Sequence, residues 1–212
     1  MKRFSLLLLV IVTGISLVQA QFVKLPKPIG FHQHDGFYLS MGLGTNFASI
    51  SAIDFSGKNT YTGTGGQFDL KVGGAFRENL IFHGTLISNY MTGPKVKTDG
   101  SSIKTSNKVQ MGESLIGGGF TYYQMPINAF VSVSAGIGGF SIINEDEDID
   151  GSTDKGFSLQ IKIGKEWWVS KNWGFGIGIS YLTTNLTNKP TDQINEKINS
   201  DNFGMLFNTT FN

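Results

Sequence analysis

The chain has 212 residues, with 28 Gly, 17 Phe, 5 Pro and no Cys. Its formal charge of +1, from 17 basic and 16 acidic side chains, gives no basic footprint for nucleic acid. The absence of Cys excludes a disulfide framework and a lipoprotein anchor, so backbone ladders and packing must hold what is a single domain by length.

Residues 1–20 have the pattern of a secretory signal. Lys2 and Arg3 form a basic start, an apolar run follows from Phe4 to Val18, and Val18-Gln19-Ala20 puts small residues at the cleavage positions before Gln21. Cleavage there would leave 192 residues with a formal charge of −1. Residues 21–36 read as a periplasmic lead-in, since Pro26 and Pro28 argue against a further strand. His32-Gln33-His34-Asp35 puts two imidazoles on one side of an extended segment. Without a fourth ligand these residues are expected to be a solvated lead-in and not a metal clip.

Eight strands are predicted, at 37–47, 66–76, 80–90, 110–123, 129–141, 156–166, 173–183 and 202–212. Side chains alternate between a greasy and a polar face, although the third strand is mixed and the fourth is weak, being largely Gly117-Gly118-Gly119 at its centre. Phe37, Leu39, Met41 and Leu43 stand against Ser40, Gly42, Gly44 and Asn46; Trp173, Phe175, Ile177, Ile179 and Tyr181 stand against Gly174, Gly176, Gly178 and Ser180. In 202–212 Leu206 breaks the polar parity. The connections by this reading are 18, 3, 19, 5, 14, 6 and 18 residues long, an unbroken alternation. An up-and-down membrane barrel has tight turns on one side and long loops on the other. Outside residues 1–20 no apolar run is long enough for a spanning helix, and a closed barrel is the remaining way to satisfy a backbone in lipid. The fold class expected is therefore all-β, an eight-stranded antiparallel transmembrane barrel over 37–212. Aromatics near strand ends, among them Tyr90, Tyr122, Trp167, Trp168, Trp173, Tyr181 and Phe211, are expected to form interfacial girdles.

An eight-stranded barrel has room inside only for side chains. Asp69, Lys71, Glu113, Lys162 and Glu166 fall on the inner parity, with His83 nearby, and are expected to form a structural polar network in which Glu113 pairs with Lys71 or Lys162. Catalysis is not expected, because none of the three His, His32, His34 and His83, shares a strand face with a serine nucleophile. Asp146, Asp148, Asp150 and Asp154 match the start of a Ca²⁺ loop, but Phe157 stands where the final Glu belongs, so a solvated acidic loop is favoured over a metal site. Loop 91–109 carries Lys95, Lys97, Lys104 and Lys108; loop 142–155 is acidic. Opposite charge is expected to draw these two loops together over the barrel mouth, where they would also meet any surface ligand. The sequons at Asn185 and Asn208 are chance matches.

The signal-like start, the alternating strands, the turn Trp167-Trp168-Val169-Ser170-Lys171-Asn172-Trp173-Gly174-Phe175-Gly176 and the aromatic last strand resemble the bacterial outer-membrane β-barrel domain family, which includes small barrels of the OmpA and OmpX type. The resemblance covers about residues 37–212. It implies a monomer in outer-membrane lipid, inserted by the barrel-assembly machinery and carrying no cofactor. The function it implies is a scaffold displaying four long surface loops, with a narrow channel as the alternative and a lipid-modifying enzyme as a third. The family's insertion signal ends on an aromatic; here Phe211 is followed by Asn212.

Overall fold

In the computed structural model residues 33–212 are described, except 56, 99, 100, 147, 192 and 193. The segments 1–20 and 21–32, read above as signal and lead-in, lie outside the described residues. The strands are β1 (Phe37–Asp54), β2 (Gly57–Arg77), β3 (Leu80–Thr92), β4 (Lys95–Thr98), β5 (Ser101–Lys104), β6 (Val109–Gln124), β7 (Ala129–Asn144), β8 (Ile149–Ser152), β9 (Gly156–Trp168), β10 (Trp173–Thr191) and β11 (Ile194–Phe211). Eight of them, β1, β2, β3, β6, β7, β9, β10 and β11, form the wall. Each wall strand is antiparallel to its neighbours, and β1 pairs with both β2 and β11, which closes the sheet into an up-and-down barrel. The closing ladder runs from Leu39–Phe211 to Ile53–Lys197. It comes close enough that a Cβ on Gly44 would lie 1.8 Å from the Met205 carbonyl oxygen, which explains glycine at that position.

At one end the wall strands meet in tight turns at 78–79, 125–128 and 169–172. Asn79 and Asn128 take positive φ there, as two of these turns require. The other end differs from the sequence expectation. The predicted loop 48–65 is almost wholly strand, as β1 runs on to Asp54 and β2 starts at Gly57, paired with it, and β10 and β11 likewise extend to 191 and 194. Only two of the four connections there are true excursions. Residues 93–108 carry the β4/β5 hairpin, which lies along the outer part of β2, and 145–155 carry β8 against β7.

The extensions were hidden because the greasy parity reverses along each long strand. On β1, Leu43 and Phe47 point outward and are 63% and 55% exposed, while Ser40 and Asn46 are buried. Past Phe47 the buried residues become Ala48, Ile50 and Ala52, and the outward ones Ser49 and Ser51. On β10, outward Ile177 and Ile179 give way to inward Leu182 and Leu186, and on β11 outward Phe203 gives way to inward Ile198. Where lipid surrounds the wall, apolar groups face out; where water surrounds it, the lumen alone can bury them. The switch marks the upper edge of the lipid belt. Beyond it Ala48, Ile50, Ala52, Met91, Met111, Phe140, Leu186 and Ile198 form a small apolar core of their own.

Candidate functional site

Function in such a barrel resides in its lumen and its hairpins. The lumen begins at the turn end with His34, which is buried. Its ring stacks on Tyr123 at 3.5 Å between centroids and lies 5.0 Å from Trp168. Nε2 lies 2.9 Å from Asn128 Oδ1, an atom that can only accept, so Nε2 carries the proton. Nδ1 then accepts from the Asn212 amide. His34 N donates to Asn79 Oδ1, and Asn79 N returns a bond to the His34 carbonyl. One residue thus ties two turns and the end of β11 together across the mouth. Burial holds the imidazole well below its ordinary pKa, at about 4, against the hydrogen bonds from Asn128 and Asn212 and the nearby Asp35. The expectation of a solvated lead-in fails at this residue.

Above His34 an apolar layer of Tyr38, Ile81, Tyr123 and Phe130 fills the barrel. Glu166 sits beside it and accepts from Thr210 at 2.8 Å and from Tyr123 at 3.3 Å. Next comes a charged layer. Asp69 receives Lys71 at 2.5 Å and Lys162 at 2.9 Å, with Gln160 joining both Asp69 and Lys71. The pairing of Asp69 with Lys162 crosses the lumen between β2 and β9. Glu113 is not part of it: Ser200 donates to one of its oxygens at 2.6 Å and Asn202 to the other. The expected bond from Glu113 to Lys71 or Lys162 is therefore replaced by neutral donors from β11, because both lysines are paired with Asp69, Lys71 from the same strand and Lys162 from across the lumen. Around these groups several buried polar atoms have no protein partner, among them both amide atoms of Asn89 and Gln67 Nε2. The apolar core led by Ile50 and Phe140 covers the far side.

His83 has hydroxyl partners, both of them threonines. Thr85, two residues on and on the same face, lies 2.9 Å from Nδ1, and Thr121 lies 3.0 Å from Nε2. The chain continues from Thr121 to Ser132 and from Thr85 to Ser134. All of these residues are buried between the two apolar layers. They form a buried hydrogen-bonded chain.

Of the expected girdle, Tyr90, Tyr122, Trp167 and Trp173 are exposed on the outer face, while Tyr181 and Phe211 are half-buried there against Phe203 and Trp173. Trp168 departs from it. It shares the parity of Glu166 and turns toward His34, since successive residues of β9 face opposite ways. The acidic loop does not gather around one point. Asp146 bonds Lys108 at 2.7 Å, Asp154 accepts from the Lys189 backbone N–H, and Asp150 lies on β8. No group of three or more His, Cys, Asp or Glu among the described residues is placed to hold a metal ion. That contact raises the pKa of Lys108 and lowers that of Asp146, chiefly through the hydrogen bond. Theirs is a lateral link between neighbouring excursions. Lys95, Lys97 and Lys104 remain on the β4/β5 hairpin, so the two loops do not close over the mouth as expected.

No protein-family model matches the chain, and no curated protein matches it in sequence. Solved structures do. Neisserial surface protein A aligns over 82% of this chain and 96% of its own, with a TM-score of 0.54 at 13% identity. The outer membrane protein OprG of Pseudomonas aeruginosa aligns over 86% of this chain and 98% of its own, with a TM-score of 0.53 at 12% identity. Wall topology, lumen and likeness agree: the chain has the eight-stranded fold of small outer-membrane β-barrels.

Proposed function

We propose that this protein is a monomeric outer-membrane scaffold that presents its hairpin end at the cell surface and does not conduct solutes. On this reading the signal is removed before Gln21, and the barrel-assembly machinery inserts residues 37–212 with the tight turns in the periplasm. The observation that carries the proposal is the filled lumen: an aromatic layer at Tyr38, Tyr123 and Phe130 and an apolar layer at Ile50, Met111 and Phe140 bracket the charged layer of Asp69, Lys71 and Lys162. The hydroxyls of the lower layer, on Tyr38 and Tyr123, are engaged with each other and with Glu166, and the upper layer carries no polar group to replace an ion's hydration shell. The surface role rests on the hairpins, which extend well beyond the lipid belt and carry separate basic and acidic segments.

Planar-bilayer recording of the refolded full chain tests the proposal. The expected result is no unitary conductance; reproducible single-channel steps would overturn it. A narrow ion path is the second reading, favoured by the partnerless amide atoms of Asn89 and Gln67, which call for water within the charged layer. In that case Tyr123→Ala should increase a conductance already present in the wild type. On the scaffold reading it should only destabilise the barrel.

A further inference from the structure

Three lysines occupy one face of the β4/β5 hairpin. Lys95 and Lys97 are two residues apart on β4, and Lys104 stands directly opposite Lys95 on β5. Paired residues of an antiparallel ladder point to the same side. Lys95 pairs with Thr62 of β2 and Lys97 with Thr60, and both threonines continue the outward parity of Phe68 and Val72. The three lysines therefore point away from the barrel axis. Lys58 extends the face on β2, and Lys197 extends it on β11 through Ile53 of β1. All five are exposed, and none has a carboxylate partner among the described residues. The one acid on the outward side of the neighbouring β11 segment, Asp201, takes the Tyr181 hydroxyl at 2.5 Å. Like charges placed directly opposite each other, as Lys95 and Lys104 are, destabilise a bare hairpin.

The height of this face decides what it meets. Tyr90, Phe47 and Phe203 lie at the top of the continuous outward apolar band just below it, with Ile53 alone of the β1 outward residues above them apolar among the lysines, and the parity reversal places the edge of the lipid belt there. Side chains that point sideways at that level enter the headgroup layer and not open solvent. Repeated ammonium groups about 5–7 Å apart along and across strands match an array of phosphate monoesters.

We infer that the outward lysine face of β2, β4 and β5 is a binding site for phosphorylated lipid headgroups of the leaflet at the hairpin end. It rests on the outer-membrane scaffold reading and names that scaffold's lipid partner. Each lysine near an anionic surface contributes about fivefold in affinity, so three together contribute on the order of a hundredfold.

The test uses the full chain refolded into phosphatidylcholine vesicles doped with a bisphosphorylated diglucosamine lipid or with its dephosphorylated form. Retained glycolipid is counted by native mass spectrometry. Wild type should keep the phosphorylated form and lose the other. K95Q/K97Q/K104Q should lose it by on the order of a hundredfold, whereas K95R/K97R/K104R, and K165Q/K171Q at the turn end, should retain it. Equal retention by the glutamine variant, or no discrimination between the two lipids, overturns the inference. Soluble polyphosphate that binds wild type in plain phosphatidylcholine, and displaces no lipid from the doped vesicles, assigns the face to a soluble polyanion and overturns it too. Heat-modifiable gel migration reads the barrel separately: a wild type that lacks it refutes the scaffold reading itself and takes this inference with it, while a glutamine variant that lacks it is replaced by K104Q alone, expected to lose about fivefold.

Discussion

Two single residues govern the lumen. Asp69 is one carboxylate between two ammonium groups, at 2.5 Å and 2.9 Å, with all three side chains almost fully buried. Truncating it would leave two buried cations unpaired, a loss of about 3–5 kcal/mol. Asp69→Ala should therefore unfold at markedly lower urea than wild type in the same lipid, whereas Asp201→Ala on the outer surface should change little. His34 acts at the mouth and through pH. Its folded pKa of about 4 lies below the ordinary 6.5, so the unfolded chain binds the extra proton first. The stability it provides is complete above pH 6.5 and drains away as pH falls toward 4, by up to about 3 kcal/mol. Unfolding midpoints measured across that window should drop in wild type and stay nearly flat in His34→Gln, after allowance for the remaining titrating groups. A midpoint with the same pH dependence in both proteins would remove His34 from this role.

At the scale of the element, the strand carries two messages in sequence, and only one was legible. The turn-end boundaries stand out because tight turns have their own chemistry, and the predicted starts at 37, 80, 129 and 173 coincide with β1, β3, β7 and β10. The hairpin-end boundaries were obscured by the reversal of parity. Ala48, Ile50 and Ala52 look like a loop to a reading that expects apolar groups on the odd positions, and become strand once water replaces lipid outside. In the same way, parity alone put Asp69, Lys71, Glu113, Lys162 and Glu166 inside, but the choice of Asp69 for Lys162 depends on which strands face each other across the lumen. No local pattern encodes that pairing. The two-zone strand has a direct mutational consequence. Phe207 lies midway between the belt-edge residue Phe203 and Phe211 and is 70% exposed. Phe207→Lys should cost about 2–4 kcal/mol, as a charge on the lipid face does near the bilayer midplane. Asn199→Lys, on the same side of β11 but above the reversal, should be close to neutral. Equal costs at the two positions would mean that the belt edge has been misplaced.

For the whole molecule, the question is whether the lumen is closed by its wall or by its loops. Every buried member of the upper apolar core, from Ala48 to Ile198, belongs to β1, β3, β6, β7, β10 or β11, and none to β4, β5 or β8. The excursions contribute the Lys108–Asp146 contact, which is exposed and screened by salt over about 8 Å. Closure is thus a property of the barrel, and the excursions can be lost without opening it. Trypsin added to the protein in phosphatidylcholine vesicles should cut after Lys97, Lys104 or Lys108, at rates that salt changes little. The shaved barrel should keep its heat-modifiable migration, because the ladder from Leu39–Phe211 to Ile53–Lys197 is untouched. It should also remain silent in a planar bilayer. A conductance that appears only after shaving would locate the plug in the excursions, and would make the apolar residues above the lipid belt a lining and not a stopper.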